Sequence, residues 1–198
     1  MKLVVTEKND AAQKIADLLG VKKPKADKVY STPVYRFDVD GEEWVTIGLR
    51  GHILEPDFTP QIVYKKRGGW RGVTDEGETV PAQLPDTLPK PPFKKKKPFT
   101  EDGVELKSWK MDALPYLVYA PIEKLPKEKE IIRSLKNLAK KADSIVIATD
   151  FDREGELIGA DALSCVRDVN ATAPVSRARY SAFTKEEITH AFSNLVEM

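Results

Sequence analysis

The 198-residue sequence predicts an α/β fold with a mostly parallel sheet flanked by helices. Two short apolar runs, Leu3-Val4-Val5-Thr6 and Ser144-Ile145-Val146-Ile147-Ala148-Thr149, read as buried strands because they are β-branched and unbroken by polar residues. Each run leads through a polar turn into a segment with helical spacing. An acid follows each run closely, Glu7 after the first and Asp150 after the second. In open parallel sheets, functional groups gather beyond the carboxyl ends of the strands.

The elements follow in order. Ala12, Ile15, Ala16, Leu18 and Leu19 recur at helical spacing, with Asn9 or Asp10 as the expected cap and Gly20 as the stop. Val29-Tyr30-Ser31 and Val34 to Val39 read as strands. Asp40-Gly41 reads as a hairpin turn, and Trp44 to Ile47 as the return strand. Gly51-His52 lies in a loop after it. From about Thr59 to Lys107 periodicity is lost, and Pro, Gly and Lys dominate. A stretch this long without periodicity is read as an insertion with an exposed lysine run, Lys94-Lys95-Lys96-Lys97. Glu128 to Ala142 is an amphipathic helix with Ile131, Ile132, Leu135, Leu138 and Ala139 on one face. Leu157 to Val169 reads as helix and Val175 to Ser181 as strand. Thr184 with Glu187 makes a capping box for a last helix. The expected organisation is one domain over 1–181, carrying an insertion over about 59–107, with 182–198 as the truncated start of a following helical domain.

Composition excludes several classes. One cysteine, Cys165, allows neither a disulfide framework nor a cysteine-rich zinc site. No apolar run approaches the ~20 residues of a membrane span, and the early Glu7 argues against a signal peptide. A cytosolic location is therefore expected, with no membrane partner. The formal net charge of +1 hides a segregation: carboxylates crowd Asp150–Glu156 and lysines crowd the insertion.

Asp150-Phe151-Asp152-Arg153-Glu154-Gly155-Glu156 holds four carboxylates in seven residues. Like charges this close repel one another, which a bland loop would not tolerate without compensation. A Mg²⁺ ion supplies that compensation, because it takes hard oxygen ligands and keeps several waters. Asp150, Asp152 and Glu154 alternate, so an extended turn aims all three one way; Glu154 can instead fall in a first helical turn, where the macrodipole favours an acid. The spacing matches neither an EF-hand loop nor a P-loop.

Ala148-Thr149-Asp150-Phe151-Asp152-Arg153-Glu154-Gly155-Glu156 resembles the Toprim signature of type IA DNA topoisomerases. Val4-Val5-Thr6-Glu7-Lys8 resembles the glutamate motif of the same domain, and Gly51-His52-Ile53 its Gly-His element. Trp109 with Leu114-Pro115 is similar to the link into the second half of that domain, and Arg177 to Ile188 to the segment leaving it. The adjacent pair Glu7-Lys8 resembles the archaeal and topoisomerase III branches. The resemblance implies a Toprim (Rossmann-like) fold and an ATP-independent isomerase that cuts and rejoins single-stranded DNA by transesterification. It also implies Mg²⁺ as cofactor and a nucleoid-associated cytoplasmic setting. Carried onto this sequence, it implies Glu7, Asp150, Asp152 and Glu154 as metal residues, and Glu7, Lys8 and Arg153 as catalytic residues. Lys8 would stabilise charge on the phosphoryl oxygens or help protonate the leaving oxygen, and Arg153 would orient the acids or a DNA phosphate. It implies that His52 contacts DNA. Lys94, Lys95, Lys96 and Lys97 are candidate phosphate contacts from their charge.

The sequence lacks two features of that family, its nucleophilic tyrosine motif and its cysteine-rich zinc modules. The family's nucleophilic tyrosine lies in a later domain, and none of Tyr30, Tyr35, Tyr64, Tyr116, Tyr119 or Tyr180 stands in its motif. The remaining domains are then expected in cis or as a separate subunit, with the isolated chain inactive. Two other readings stay open: a free-standing Toprim nuclease or phosphotransferase, and a non-catalytic nucleic-acid-binding module.

Overall fold

The computed structural model describes residues 1–65, 69–89, 103–106 and 109–198. In chain order the elements begin with β1 (Lys2–Thr6), α1 (Asn9–Leu19), β2 (Lys25–Val29), β3 (Thr32–Val39), β4 (Glu42–Gly48) and β5 (Leu54–Phe58). There follow β6 (Gln61–Lys65), β7 (Gly69–Val73), β8 (Thr79–Pro81), β9 (Gly103–Glu105), α2 (Leu114–Leu117) and β10 (Ile122–Pro126). The chain continues through α3 (Lys129–Ala139), β11 (Ser144–Ile147), α4 (Arg153–Arg167), β12 (Val175–Arg177), α5 (Lys185–Ser193) and β13 (Val196–Glu197). Two compact units result: Met1–Leu54 with Pro126–Met198, and Glu55–Leu125.

The first unit is built on a sheet in the order β13-β12-β11-β1-β4-β3-β2. Its four central strands, β12, β11, β1 and β4, are parallel, as the sequence predicts. Both edges are antiparallel. The buried runs alternate between two cores. Leu3, Val5, Ile145 and Ile147 pack with α3 and α4 through Leu135, Leu138, Ile158 and Cys165. Val4 and Val146 pack on the opposite face with Ile15 and Ala16 of α1 and Ile188 and Ala191 of α5. A sheet covered on both faces requires strands that are apolar at every position. Each fully buried Leu or Ile side chain contributes roughly 1.5–3 kcal/mol.

Asp40 and Gly41 both have positive φ, as the expected two-residue hairpin requires. Tyr30-Ser31 differs from expectation. It is a turn between β2 and β3 rather than strand, with Val29 opposite Thr32 and Tyr30 at φ 52°. The antiparallel β2–β3 pairing leaves these two residues as its connection, and the Arg133 guanidinium of α3 lies 4.0 Å from the centre of the Tyr30 ring. Residues 182–198, expected to open a following domain, pack back onto the sheet: α5 contributes Ile188 and Ala191 to the core, and β13 pairs with β12.

The second unit contains much of the stretch that lacks periodicity in sequence, yet its described residues form a sheet in the order β8-β7-β6-β9. Its core is Ile62, Trp70, Val104, Leu106, Tyr116 and Leu117. The strands escape a sequence reading because they are three to five residues long and lie between turn-forming residues. Trp70 is buried against Tyr64 and Tyr116 and anchors this core. Lys94–Lys97, like Lys66 and Arg67, lie outside the described residues.

Candidate active site

The parallel order β4-β1-β11-β12 sets four carboxyl ends side by side. Beyond them come His52, then Glu7-Lys8, then Asp150, and finally Arg177 at the end of its own strand. Segments more than a hundred residues apart in sequence meet on one edge because their strands are neighbours.

Glu7 is buried, with 6% of its surface exposed. A buried carboxylate needs a partner, and the Lys8 ammonium provides it at 2.8 Å. Lys8 keeps 65% of its side chain exposed. The hydrogen bond to Glu7 and then the Glu7 charge raise its pKa above the ordinary lysine value, with Asp150 and Glu154 adding to the effect. Lys8 therefore stays cationic at any physiological pH. It is also the N-cap residue of α1, and no side chain caps that helix. Neither Asn9 nor Asp10 acts as the expected cap, since both already lie inside the helix. The Asn9 amide instead donates to the Tyr35 hydroxyl at 3.0 Å. Gly48 makes this turn possible, because a Cβ there would lie 2.4 Å from Asn9 N. Arg50 and Gly51 follow with positive φ, and the Gly51 N–H donates to the Glu7 carbonyl. That bond ties the His52 loop to the end of β1.

Asp150 is half-buried. Burial, and next the Glu7 carboxylate, push its pKa above the usual carboxylate range; Asp152 adds to the rise, while Lys8 and Arg177 oppose it. Asp152 does not extend beside it as an open ligand. Its Oδ1 accepts from the Gly155 N–H at 2.7 Å and so caps α4. The helix thus begins at Arg153, four residues before the expected Leu157, and Glu154 lies in its first turn. The extended-turn geometry is replaced by the helical one. Gly155 is required by contact with the backbone, since a Cβ there would lie 2.0 Å from the Asp150 carbonyl oxygen. The Thr149 hydroxyl donates to the Gly155 carbonyl and closes the turn.

Glu154 is exposed and stands 3.6 Å from the His52 imidazole, an ion pair only when His52 is protonated. Arg153 is exposed on the first residue of α4. Among the described residues no three His, Cys, Asp or Glu side chains are gathered as a metal cage. The internal partners account for this: Glu7 holds Lys8, Asp152 holds Gly155, and Glu156 holds Arg177.

Arg177 and Glu156 have no role in the sequence reading, although the structure gives them one. Arg177 is 1% exposed at the end of β12. Its guanidinium donates twice to Glu156 Oε1, at 3.0 and 2.8 Å, and also to the carbonyls of Asp150, Ile147 and Ala178. One side chain therefore fixes the backbone at the start and the side chain at the end of the acidic turn. Once buried, a guanidinium has five donors to satisfy, and the carbonyls and carboxylate around Arg177 satisfy them.

The tyrosines offer no nucleophile at the acids. Tyr180 is the one that their charges reach, and its hydroxyl is buried and donates to the Ala148 carbonyl at 2.6 Å. Burial raises its pKa well above the ordinary phenol value, which makes its anion inaccessible. Cys165 is buried in α4, and burial raises its thiol pKa. His190 is exposed beside Asn194. No helix among the described residues is long and apolar enough to cross a membrane.

The Toprim domain model matches residues 2–183. The chain belongs to the Toprim family. This Toprim domain is 36% identical over 200 residues to DNA topoisomerase 1 of Archaeoglobus fulgidus, covering 99% of this chain and 22% of that protein. It is 30% identical over 195 residues to DNA topoisomerase 1 of Thermoplasma acidophilum, covering 98% of this chain and 19% of that protein. It is 28% identical over 203 residues to DNA topoisomerase 3-alpha of Homo sapiens, covering 98% of this chain and 16% of that protein. The chain thus spans at most about a fifth of the length of these curated relatives.

Proposed function

We propose that this Toprim domain supplies the acid-and-lysine half of a type IA topoisomerase cleavage site acting on single-stranded DNA. The observation that carries the reading is the Glu7–Lys8 pair beyond β1, beside Asp150 beyond the adjacent β11. An exposed cation next to partly buried acids suits phosphoryl transfer, where charge on the phosphoryl oxygens must be offset. Lys8 would contact the phosphoryl oxygens or move a proton to the leaving oxygen. Arg153 would orient the acids or hold a phosphate, and His52 would contact the strand beside Glu154. The nucleophilic tyrosine would come from another domain, in cis or on a separate subunit.

The donor chemistry fits Mg²⁺, which binds through one or two carboxylates and retained waters and needs no closed cage. Glu7, Asp150 and Asp152 would hold it, with Glu154 at the rim. When bound, the ion supplies positive charge beside Asp150, whose pKa burial and then the Glu7 carboxylate raise.

Calorimetric titration of Mg²⁺ into the 198-residue chain tests this reading. Binding is expected, and an Asp150→Asn/Asp152→Asn double variant should lose it. Equal heats from both proteins would refute the assignment. The chain with Mg²⁺ is expected to leave supercoiled plasmid unrelaxed. Mg²⁺-dependent nicking that Asp152→Ala abolishes would point instead to a free-standing nuclease.

A further inference from the structure

Two phenylalanines near the acids are exposed, and each lies under a cation. Phe151, between Asp150 and Asp152, is 55% exposed, and the Arg179 guanidinium sits 5.4 Å from its ring centre. Phe183, just before α5, is 37% exposed, with the Lys14 ammonium 5.2 Å from its ring centre. Neither Arg179 nor Lys14 has a carboxylate partner among the described residues. By contrast, Arg36, Lys136 and Arg177 are all paired with acids.

Both pairs border the edge that carries the acids. Arg179 lies two residues beyond Arg177, past the end of β12, and Phe151 lies in the turn after β11, the strand paired with β12. Phe183 packs against Tyr180 at a tilt of 57°, with 5.2 Å between ring centres, and the Tyr180 hydroxyl donates to the Ala148 carbonyl just past β11. Lys14 is on α1, the helix that Glu7-Lys8 opens.

An exposed phenyl ring in an acidic turn gains nothing from burial, and an unpaired cation on that ring leaves its remaining donors for an anion. Rings that offer a flat face beside cations with free donors are the recurring means of binding single strands: bases stack on the rings and phosphates meet the cations. We infer that Phe151–Arg179 and Phe183–Lys14 form a stacking track that seats the nucleotides flanking the acids on single-stranded DNA. This rests on the reading of the site as a single-strand cleavage site.

The test uses the 198-residue chain and a fluorescein-labelled oligothymidylate, with affinity read by anisotropy across a salt series. Phe151→Ala and Phe183→Ala should each weaken binding by about tenfold, in keeping with the loss of one stacked base. Phe151→Trp should restore it. Arg179→Gln and Lys14→Gln should each lower the salt slope by about 0.7, the value for one lost phosphate contact on a single strand. Photocrosslinking with 5-iodouracil in the oligonucleotide should label Phe151 or Phe183. Wild-type affinity in both alanine variants, crosslinks confined to other residues, or no binding by the wild-type chain would each overturn the track. Mg²⁺ calorimetry on the same wild-type preparation separates the two failures. Intact Mg²⁺ binding with an inert track removes only this inference, whereas absent Mg²⁺ binding removes the reading beneath it.

Discussion

The two central strands β1 and β11 lead into turns built on the same plan and finished in opposite ways. Each is followed by an acid, Glu7 or Asp150, and then by a helix. Each relies on a glycine where any side chain would strike backbone, Gly48 against Asn9 and Gly155 against Asp150. The helix after β11 is capped internally by Asp152, and its turn is held from below by Arg177. The helix after β1 has no side-chain cap, and its leading residue, Lys8, is mostly exposed. The difference separates structure from availability. The β11 turn uses side chains to hold its own shape, while the β1 turn leaves a cation and a helix start open at the edge.

The largest expected effect breaks the shared plan. Gly155→Ala and Gly48→Ala each force backbone apart, and each should cost about 1–3 kcal/mol or more, read as a lower urea midpoint. Next comes Arg177→Met, which removes the guanidinium donor to the carbonyls of Asp150 and Ala178. A loss of roughly 2 kcal/mol is expected, and amide hydrogen exchange should accelerate across 150–156. The contrast itself is sharpened by a pair of variants. Asp152→Ala removes a cap and should cost about 1 kcal/mol, while the double variant Glu7→Gln/Lys8→Ala, which removes both charges of the pair together, should change stability by less than about 0.5 kcal/mol. Equal losses from the two would erase the distinction between the turns.

The smallest effect is a pH dependence. The folded state holds the Tyr180 proton above the ordinary phenol value of 10.0, whereas the unfolded chain releases it there. The stability from this group is fully present below about pH 10 and falls as pH rises beyond it. Tyr180→Phe should flatten that alkaline decline in a thermal-denaturation series.

The parallel strands and the helices around them were legible because burial on both faces leaves a continuous apolar run, and helices with one buried face repeat at a fixed spacing. Glu7 and Asp150 stood out because each follows such a run. The strands of the second unit were hidden: segments of three to five residues between glycines and prolines carry too little periodicity to register. Tyr30 was misread for a related reason, since an aromatic residue favours strand locally and only the β2–β3 pairing, Val29 opposite Thr32, puts it in a turn.

The sequence by itself determined which residues carry charge, that Glu7 and Asp150 follow buried strands, and that the acidic segment is too dense to be a bland loop. Tertiary structure decided which charges meet. Strand order brings β1 beside β11 and β12 beside β11, so Glu7, Asp150 and Arg177 converge across separations that no local pattern encodes. It also decided that Asp152 turns inward to cap a helix and that Arg177 is buried beneath the turn. Hydrogen-bond satisfaction is the physical reason: a buried guanidinium and an uncapped helix start each require partners, and only the folded chain determines which are within reach.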